Sequence, residues 1–102
     1  MKTLDIIQRQ LAAGEFEFSR HAFKRAVERN ISDQEIREAG QKAVVIENYP
    51  DDKYSPSCLL LGFTTGRRPV HIQVSLRAAA LVKIITLYEP DERAWINYEK
   101  RK

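Results

Sequence analysis

The apolar residues of this chain change their spacing at Ala43, and that change limits the fold more than any other feature. Before it, Leu4, Ile7 and Leu11 recur at helical intervals across residues 3–13, and Gly14 follows as a left-handed stop. Ser19 stands where its hydroxyl can accept from the first free amides of a second helix, which ends near Asn30. A third helix opens at Ser32-Asp33-Gln34-Glu35, where Ser32 and Glu35 match a capping box, and closes near Gly40. After Ala43 the pattern becomes β-branched and apolar: Val44 to Ile46, Ser57 to Thr65, Pro69 to Arg77 and Leu81 to Tyr88. Turns at Pro50-Asp51-Asp52 and Gly66-Arg67-Arg68 separate the first three runs. The Ala78-Ala79-Ala80 link has no hairpin glycine or asparagine, so the register of the last pair stays open. Asp91 to Tyr98 reads as a short helix or a docked extension.

Helices followed by strands predict an α+β domain. In it, N-terminal short helices pack on one face of a four-stranded antiparallel sheet, because the connections are too short for helical crossovers. At 102 residues the chain is expected to form one domain over 1–102. The run from Pro69 to Arg77 alternates cleanly. Val70, Ile72, Val74 and Leu76 face the core, and His71, Gln73, Ser75 and Arg77 face a second surface left free for function. The last strand is apolar on both sides except at Lys83 and Thr86, which predicts a central position.

Charge enters through its distribution. The total, 17 basic against 14 acidic side chains, is only +3, and 43% hydrophobic residues fit a globular rather than a disordered chain. From Lys53 through Tyr88, however, there is no acidic residue, while Lys53, Arg67, Arg68, Arg77 and Lys83 are positive. A second basic group, Arg20, Lys24, Arg25 and Arg29, has only Glu28 opposing it. If the fold joins the two groups, their potentials add and attract an anion. The plainer alternative is that strands avoid acidic residues.

No apolar run reaches the ~18 residues of a membrane span, and Asp5, Gln8 and Arg9 interrupt any N-terminal signal core, so a cytoplasmic protein with no membrane contact is expected. The one cysteine, Cys58, excludes an internal disulfide, and its surroundings Ser57-Cys58-Leu59-Leu60-Leu61 read as strand interior rather than as a nucleophile's site. Four zinc ligands at regular spacing are lacking, as is a glycine-rich phosphate loop, so neither a metal nor a cofactor is expected.

The remaining chemistry lies with the two histidines. On the second helix, about 100° per residue puts Ala22, Phe23, Ala26 and Val27 on one side and His21, Lys24, Arg25, Glu28 and Arg29 on the other. Such a strip is either an anion-binding face or solvated surface in which Glu28 pairs with Lys24 or Arg25. His71 lies on the polar side of a basic strand beside Arg67 and Arg68. Two imidazoles can divide general base and general acid work near neutral pH, and arginines can stabilise a phosphorane-like transition state. Equally, His71 can be a hydrogen-bonded strand residue, and His21 can help cap its helix. Tyr88, Tyr49, Tyr54, Phe63 and Trp95 are candidates for stacking on bases or for closing the core.

The segments Phe18-Ser19-Arg20-His21-Ala22, Glu28-Arg29-Asn30-Ile31-Ser32, Tyr49-Pro50-Asp51-Asp52, Cys58-Leu59-Leu60-Leu61-Gly62, Arg68-Pro69-Val70-His71 and Thr86-Leu87-Tyr88-Glu89-Pro90-Asp91, with Trp95 beyond them, resemble a family of small prokaryotic proteins classed as a domain of unknown function. That family is similar to RelE-like and MqsR-like messenger-RNA interferase toxins, whose members often accompany a zinc-finger antitoxin of the MqsA type. The resemblance, over roughly residues 4–101, implies a RelE-like fold with RNA on the exposed sheet face. It also implies metal-independent cleavage by a ribose 2′-hydroxyl. The resemblance assigns no catalytic set; our own expectation is His21 and His71 as the proton-transfer pair, Arg68 and Arg29 as phosphate stabilisers, and Tyr88 as a phosphate or base contact. Arg25, Arg67, Arg77 and Lys83 complete the expected RNA-binding set. The alternative is a non-catalytic RNA- or protein-binding module of the same fold.

Overall fold

Each helix begins where the sequence supplies a side-chain acceptor for its unpaired amides. The computed structural model describes residues 1–102. In it α1 spans Leu4–Ala13, α2 Arg20–Glu28 and α3 Asp33–Gln41, capped by Thr3, Ser19 and Ser32. The Ser32 hydroxyl accepts from the Glu35 amide at 3.1 Å and the Glu35 carboxylate accepts from the Ser32 amide at 3.0 Å, which completes the expected capping box. Gly14 ends α1 at φ 76°, a left-handed turn that costs glycine nothing.

The strands are β1 (Phe16–Phe18), β2 (Val44–Tyr49), β3 (Ser57–Phe63), β4 (Pro69–Ser75) and β5 (Val82–Tyr88). They form one five-stranded mixed sheet in the order β1-β5-β4-β3-β2, where four antiparallel strands were expected. The meander from β2 to β5 is antiparallel as predicted, and β5 is an interior strand, between β1 and β4, while β4 holds the centre. The added strand is the Phe16-Glu17-Phe18 segment, which pairs parallel to β5, Phe16 opposite Val82 and Phe18 opposite Ile84. Three residues of alternation are too few to declare a strand in the sequence. The connection from β1 to β5 runs through α2, α3 and β2 to β4, so the parallel pairing has the long crossover it requires. Across β4 and β5 the register shifts between Gln73 and Val74, so Ile84 and Leu87 both reach the core.

The helices cover one sheet face. Ile7, Leu11, Ala22, Ala26, Ile36 and Ala39 pack on Leu60, Val70, Ile72, Val74, Val82, Ile84 and Leu87 in one buried cluster. Gly62 on β3 lets α3 approach so closely that an added Cβ would collide with the Ala39 carbonyl. Phe23 and Val27, expected on the buried side of α2, are instead about 60% exposed. The helix lies along the sheet edge, where only its Ala22–Ala26 line meets the core.

Of the two readings of the segment after β5, the docked extension is the one observed, and no helix forms there. Residues beyond Pro90 turn back as two short strands, β6 (Trp95–Ile96) and β7 (Lys100–Arg101), which form a hairpin of their own. No helix is long and apolar enough to cross a membrane.

Candidate functional site

Register fixes the setting of His71 before any chemistry is considered. On β4 it stands opposite Leu61 of β3 and Tyr88 of β5, on the sheet face away from the helices. That face is not free at this point, because the β6–β7 hairpin lies across it and His71 is fully buried. Its Nε2 lies 2.6 Å from the Tyr98 carbonyl oxygen, and its Nδ1 lies 3.2 Å from the Tyr88 hydroxyl. A carbonyl only accepts, so Nε2 carries the proton and Nδ1 accepts from Tyr88. Trp95 packs edge-on against the imidazole at 4.5 Å between ring centres, and Arg101 lies over the indole at 4.7 Å. Arg101 is tied in turn to Glu47 at 2.9 Å, and Glu47 also accepts from the Tyr49 hydroxyl.

Burial pushes His71 below its ordinary value, against the opposing pull of the Tyr98 carbonyl and of Glu47, so the ring is neutral near neutral pH. Burial likewise pushes the Tyr88 hydroxyl up. Both nitrogens of His71 are committed and no solvent reaches them. The pair Tyr88 and His71 therefore fastens the C-terminal hairpin onto the sheet.

Arg68 is also committed. Its Nε donates to Glu89 at 2.6 Å, and its Nη1 donates to both Glu35 oxygens at 3.1 Å and to the Asn30 carbonyl at 2.8 Å. Its Nη2 donates to the Arg29 carbonyl at 2.9 Å. The guanidinium clasps the α2–α3 connection, α3 and the end of β5 together. The hydrogen bond to Glu89, reinforced by Glu35, holds its own pKa up. Glu35 is held below the usual carboxylate range, first by the Ser32 amide and, against burial, by Arg68.

The other predicted cations divide between two places. Arg67 sits at φ 67° in the turn before β4 and, with Lys42, lines a concavity beside α3. Arg29 caps α2, and its guanidinium makes no hydrogen bond or ion pair.

His21, Arg77 and Lys83 share a concavity. They line one cleft of about 530 Å³ between the start of α2, the first half of β5, the end of β4 with the residues just after it, and the loop after β2. Exposed His21 stands in the first turn of α2, because Ser19 caps that helix while its hydroxyl donates to the Ile85 carbonyl at 2.9 Å. Its Nε2 accepts from Arg25 Nε at 3.4 Å, and Arg25 pairs with Glu28 at 3.3 Å. The outer strip of α2 is thus partly satisfied within itself, as the solvated-face alternative expects. Arg77 and Lys83 differ: neither side chain has an ion pair or a hydrogen bond.

Two carboxylates that sequence reasoning did not select, Glu17 and Asp52, share the cleft with Tyr54, one of the aromatic stacking candidates. Asp52 accepts from Ser57 at 2.6 Å and from Gln73 at 3.3 Å, which holds the loop after β2 against the sheet. Glu17 stands in register with Lys83 across the β1–β5 pair, and no ion pair joins them. The parallel β1 pairing carries Glu17 there, and a three-residue alternation gives no sign of it. Cys58 is buried in the core and its thiol is pushed up to about 11 by burial, so it is inert as a nucleophile. No group of three or more His, Cys, Asp or Glu side chains is arranged to hold a metal ion.

The model of a family described as Domain of unknown function (DUF4258) matches residues 18–89, from the last residue of β1 to just beyond β5. No curated protein and no solved structure matches the chain.

Proposed function

We propose that this chain, which belongs to the Domain of unknown function (DUF4258) family, is an endoribonuclease of the messenger-RNA interferase kind, acting at the His21 cleft. The observation that carries the reading is that an exposed imidazole and two unpaired cations, from α2, β5 and the residues just after β4, line one cleft. A carboxylate and an imidazole beside two free cations form a minimal set for RNA self-cleavage. Glu17 takes the proton from a ribose 2′-hydroxyl, and the 2′-oxygen attacks the adjacent phosphorus. The bond from phosphorus to the 5′-oxygen breaks as His21 protonates that oxygen, leaving a 2′,3′-cyclic phosphate. Arg77 and Lys83 stabilise the added negative charge on the phosphoryl oxygens.

His71, Tyr88 and Arg68 leave the chemical set, since burial and existing bonds occupy them. The RelE-like toxin reading, with messenger RNA as substrate, an MqsA-type zinc-finger antitoxin as partner and a cytoplasmic location, rests on the resemblance of the motifs. A neutralising partner would need acidic surface to offset desolvation of Arg77 and Lys83.

Mixed-sequence RNA incubated with purified protein in EDTA tests the proposal. Cyclic 2′,3′-phosphate ends that vanish in His21→Ala and in Glu17→Gln support it, and undiminished cleavage by both variants overturns it. The burial of His71 favours a second reading, a non-catalytic RNA-binding module. Intact RNA bound in a salt-sensitive manner would decide for that reading.

A further inference from the structure

Tyr54 is the most exposed of the large apolar side chains, at 84%, and it is also part of two concavities. On one side is the cleft of His21, Arg77 and Lys83. On the other is a hollow of about 320 Å³ whose wall includes Pro56, Leu76 and Ala78. Tyr54, Ser55 and Arg77 belong to both, so they are the partition between a polar cleft and an apolar hollow.

We propose that the apolar hollow is a nucleobase subsite, in which an unpaired base of the RNA stacks on Tyr54 while its phosphate lies across Arg77 in the cleft. The inference rests on the RNA-cleft reading and adds the strandedness of the substrate to it. A planar, uncharged ring suits a wall of proline, leucine and alanine, and an exposed phenol ring offers a stacking face. The Arg77 guanidinium, free of any carboxylate, can serve the phosphate on one side and the base on the other.

Apart from Arg77, which the phosphate engages, the Ser55 and Leu76 groups that could read a base edge are already bonded. The Ser55 hydroxyl is taken by Ser75 at 2.8 Å and by the Pro56 carbonyl, and the Leu76 amide donates to the Pro56 carbonyl at 2.8 Å. With those groups occupied, recognition goes through the face of the base and not through its edge. The substrate is therefore single-stranded RNA read with little base preference at this position, because a paired base keeps its faces inside the helical stack.

Fluorescence anisotropy with a labelled mixed-sequence RNA strand, its duplex, and the same strand with abasic positions tests the subsite. Wild type should hold the base-bearing single strand most tightly. Tyr54→Ala should weaken that binding about tenfold, the order of one lost stack, while Tyr54→Phe retains it and duplex binding is unchanged by either. Tyr54→Trp supplies a second readout. Trp95 is the one native tryptophan and is buried, so an exposed indole at position 54 should be quenched when the strand is added.

Single-strand binding that Tyr54→Ala and abasic positions leave intact, with no quenching in Tyr54→Trp, overturns the subsite and leaves the cleft standing. Wild-type RNA binding that is absent, or insensitive to Arg77→Ala and Lys83→Ala, overturns the cleft and the subsite together.

Discussion

Replacing Arg68 by methionine separates two accounts of the same residue. As a phosphate ligand, Arg68 would contribute to RNA affinity and little to stability; as the clasp seen in the structure, it would do the reverse. Its side chain is 25% exposed and bonds to Glu35, Glu89 and the carbonyls of Arg29 and Asn30. Charge-assisted bonds of this kind contribute roughly 1.5–3 kcal/mol each when buried. Solvent reaches Glu89, which is half exposed, and reduces its share. Methionine keeps much of the aliphatic packing, so the polar clasp as a whole is worth about 2 kcal/mol. In a domain of this size that corresponds to a fall in Tm of roughly 8–16 °C.

Lysine at the same position keeps the charge but cannot span three elements with one planar fork, and should recover less than half of the loss. Thermal unfolding followed by circular dichroism measures both variants, and RNA affinity is measured well below their transitions. The pH dependence adds a check. Because Glu35 is held below its ordinary value of 4.5 in the folded state, its contribution is complete above that value. It is lost as pH falls through the depressed folded value. The gap between wild type and Arg68→Met should therefore narrow in acid. A Tm within about 3 °C of wild type, together with a marked loss of RNA affinity, would refute the clasp and restore Arg68 to the phosphate site.

Three further outcomes follow from the same geometry. His71 is held below its ordinary value of 6.5, so the unfolded chain takes up a proton first; stability present above 6.5 should decline as pH falls toward the folded value, and His71→Gln should flatten that part of a Tm-against-pH profile. Gly62→Ala must push β3 from the Ala39 carbonyl, and denaturant titration should show a loss of about 3 kcal/mol or failure to fold. Ser32→Ala removes the acceptor for the Glu35 amide and should cost about 1 kcal/mol by the same titration, with RNA binding unaltered.

Local signals carried most of the elements. Ser19, Ser32-Glu35 and Gly14 set the helix ends through bonds made within a few residues, and these ends are legible because donor, acceptor and backbone angle all lie close in sequence. The antiparallel order from β2 to β5 followed from short connections for the same reason. β1 was not legible, since its pairing depends on β5, some sixty-six residues away in the chain. The alternation of Val70 to Arg77 correctly divided core from second face, yet it held no information about what covers that second face.

The candidate site was legible only as a set of residue types. His21, Arg77 and Lys83 were selected for charge and proton chemistry, and tertiary structure brought them together. It also added Glu17 and Asp52, which had not been selected, and placed Tyr54, until then one of five aromatic candidates, beside them.

The three capped helices, the strands β2 to β5 and most of their core-facing residues were thus determined by the amino-acid sequence alone, through periodicity and near-neighbour hydrogen bonds, whereas β1, the C-terminal hairpin and the exposure of Phe23 and Val27 were not. Tertiary structure decided which cations stay free. Arg68 and Arg77 are the same residue type in the same acid-free stretch. One lies within reach of Glu35, Glu89 and two helix-end carbonyls, and the other opens onto a cleft with its guanidinium unpaired. The same holds for the histidines, where a C-terminal hairpin seals His71 and leaves His21 in solvent. Whether a charge is neutralised, buried or available depends on groups distant in the chain, because electrostatic and hydrogen-bond partners are chosen by distance in space.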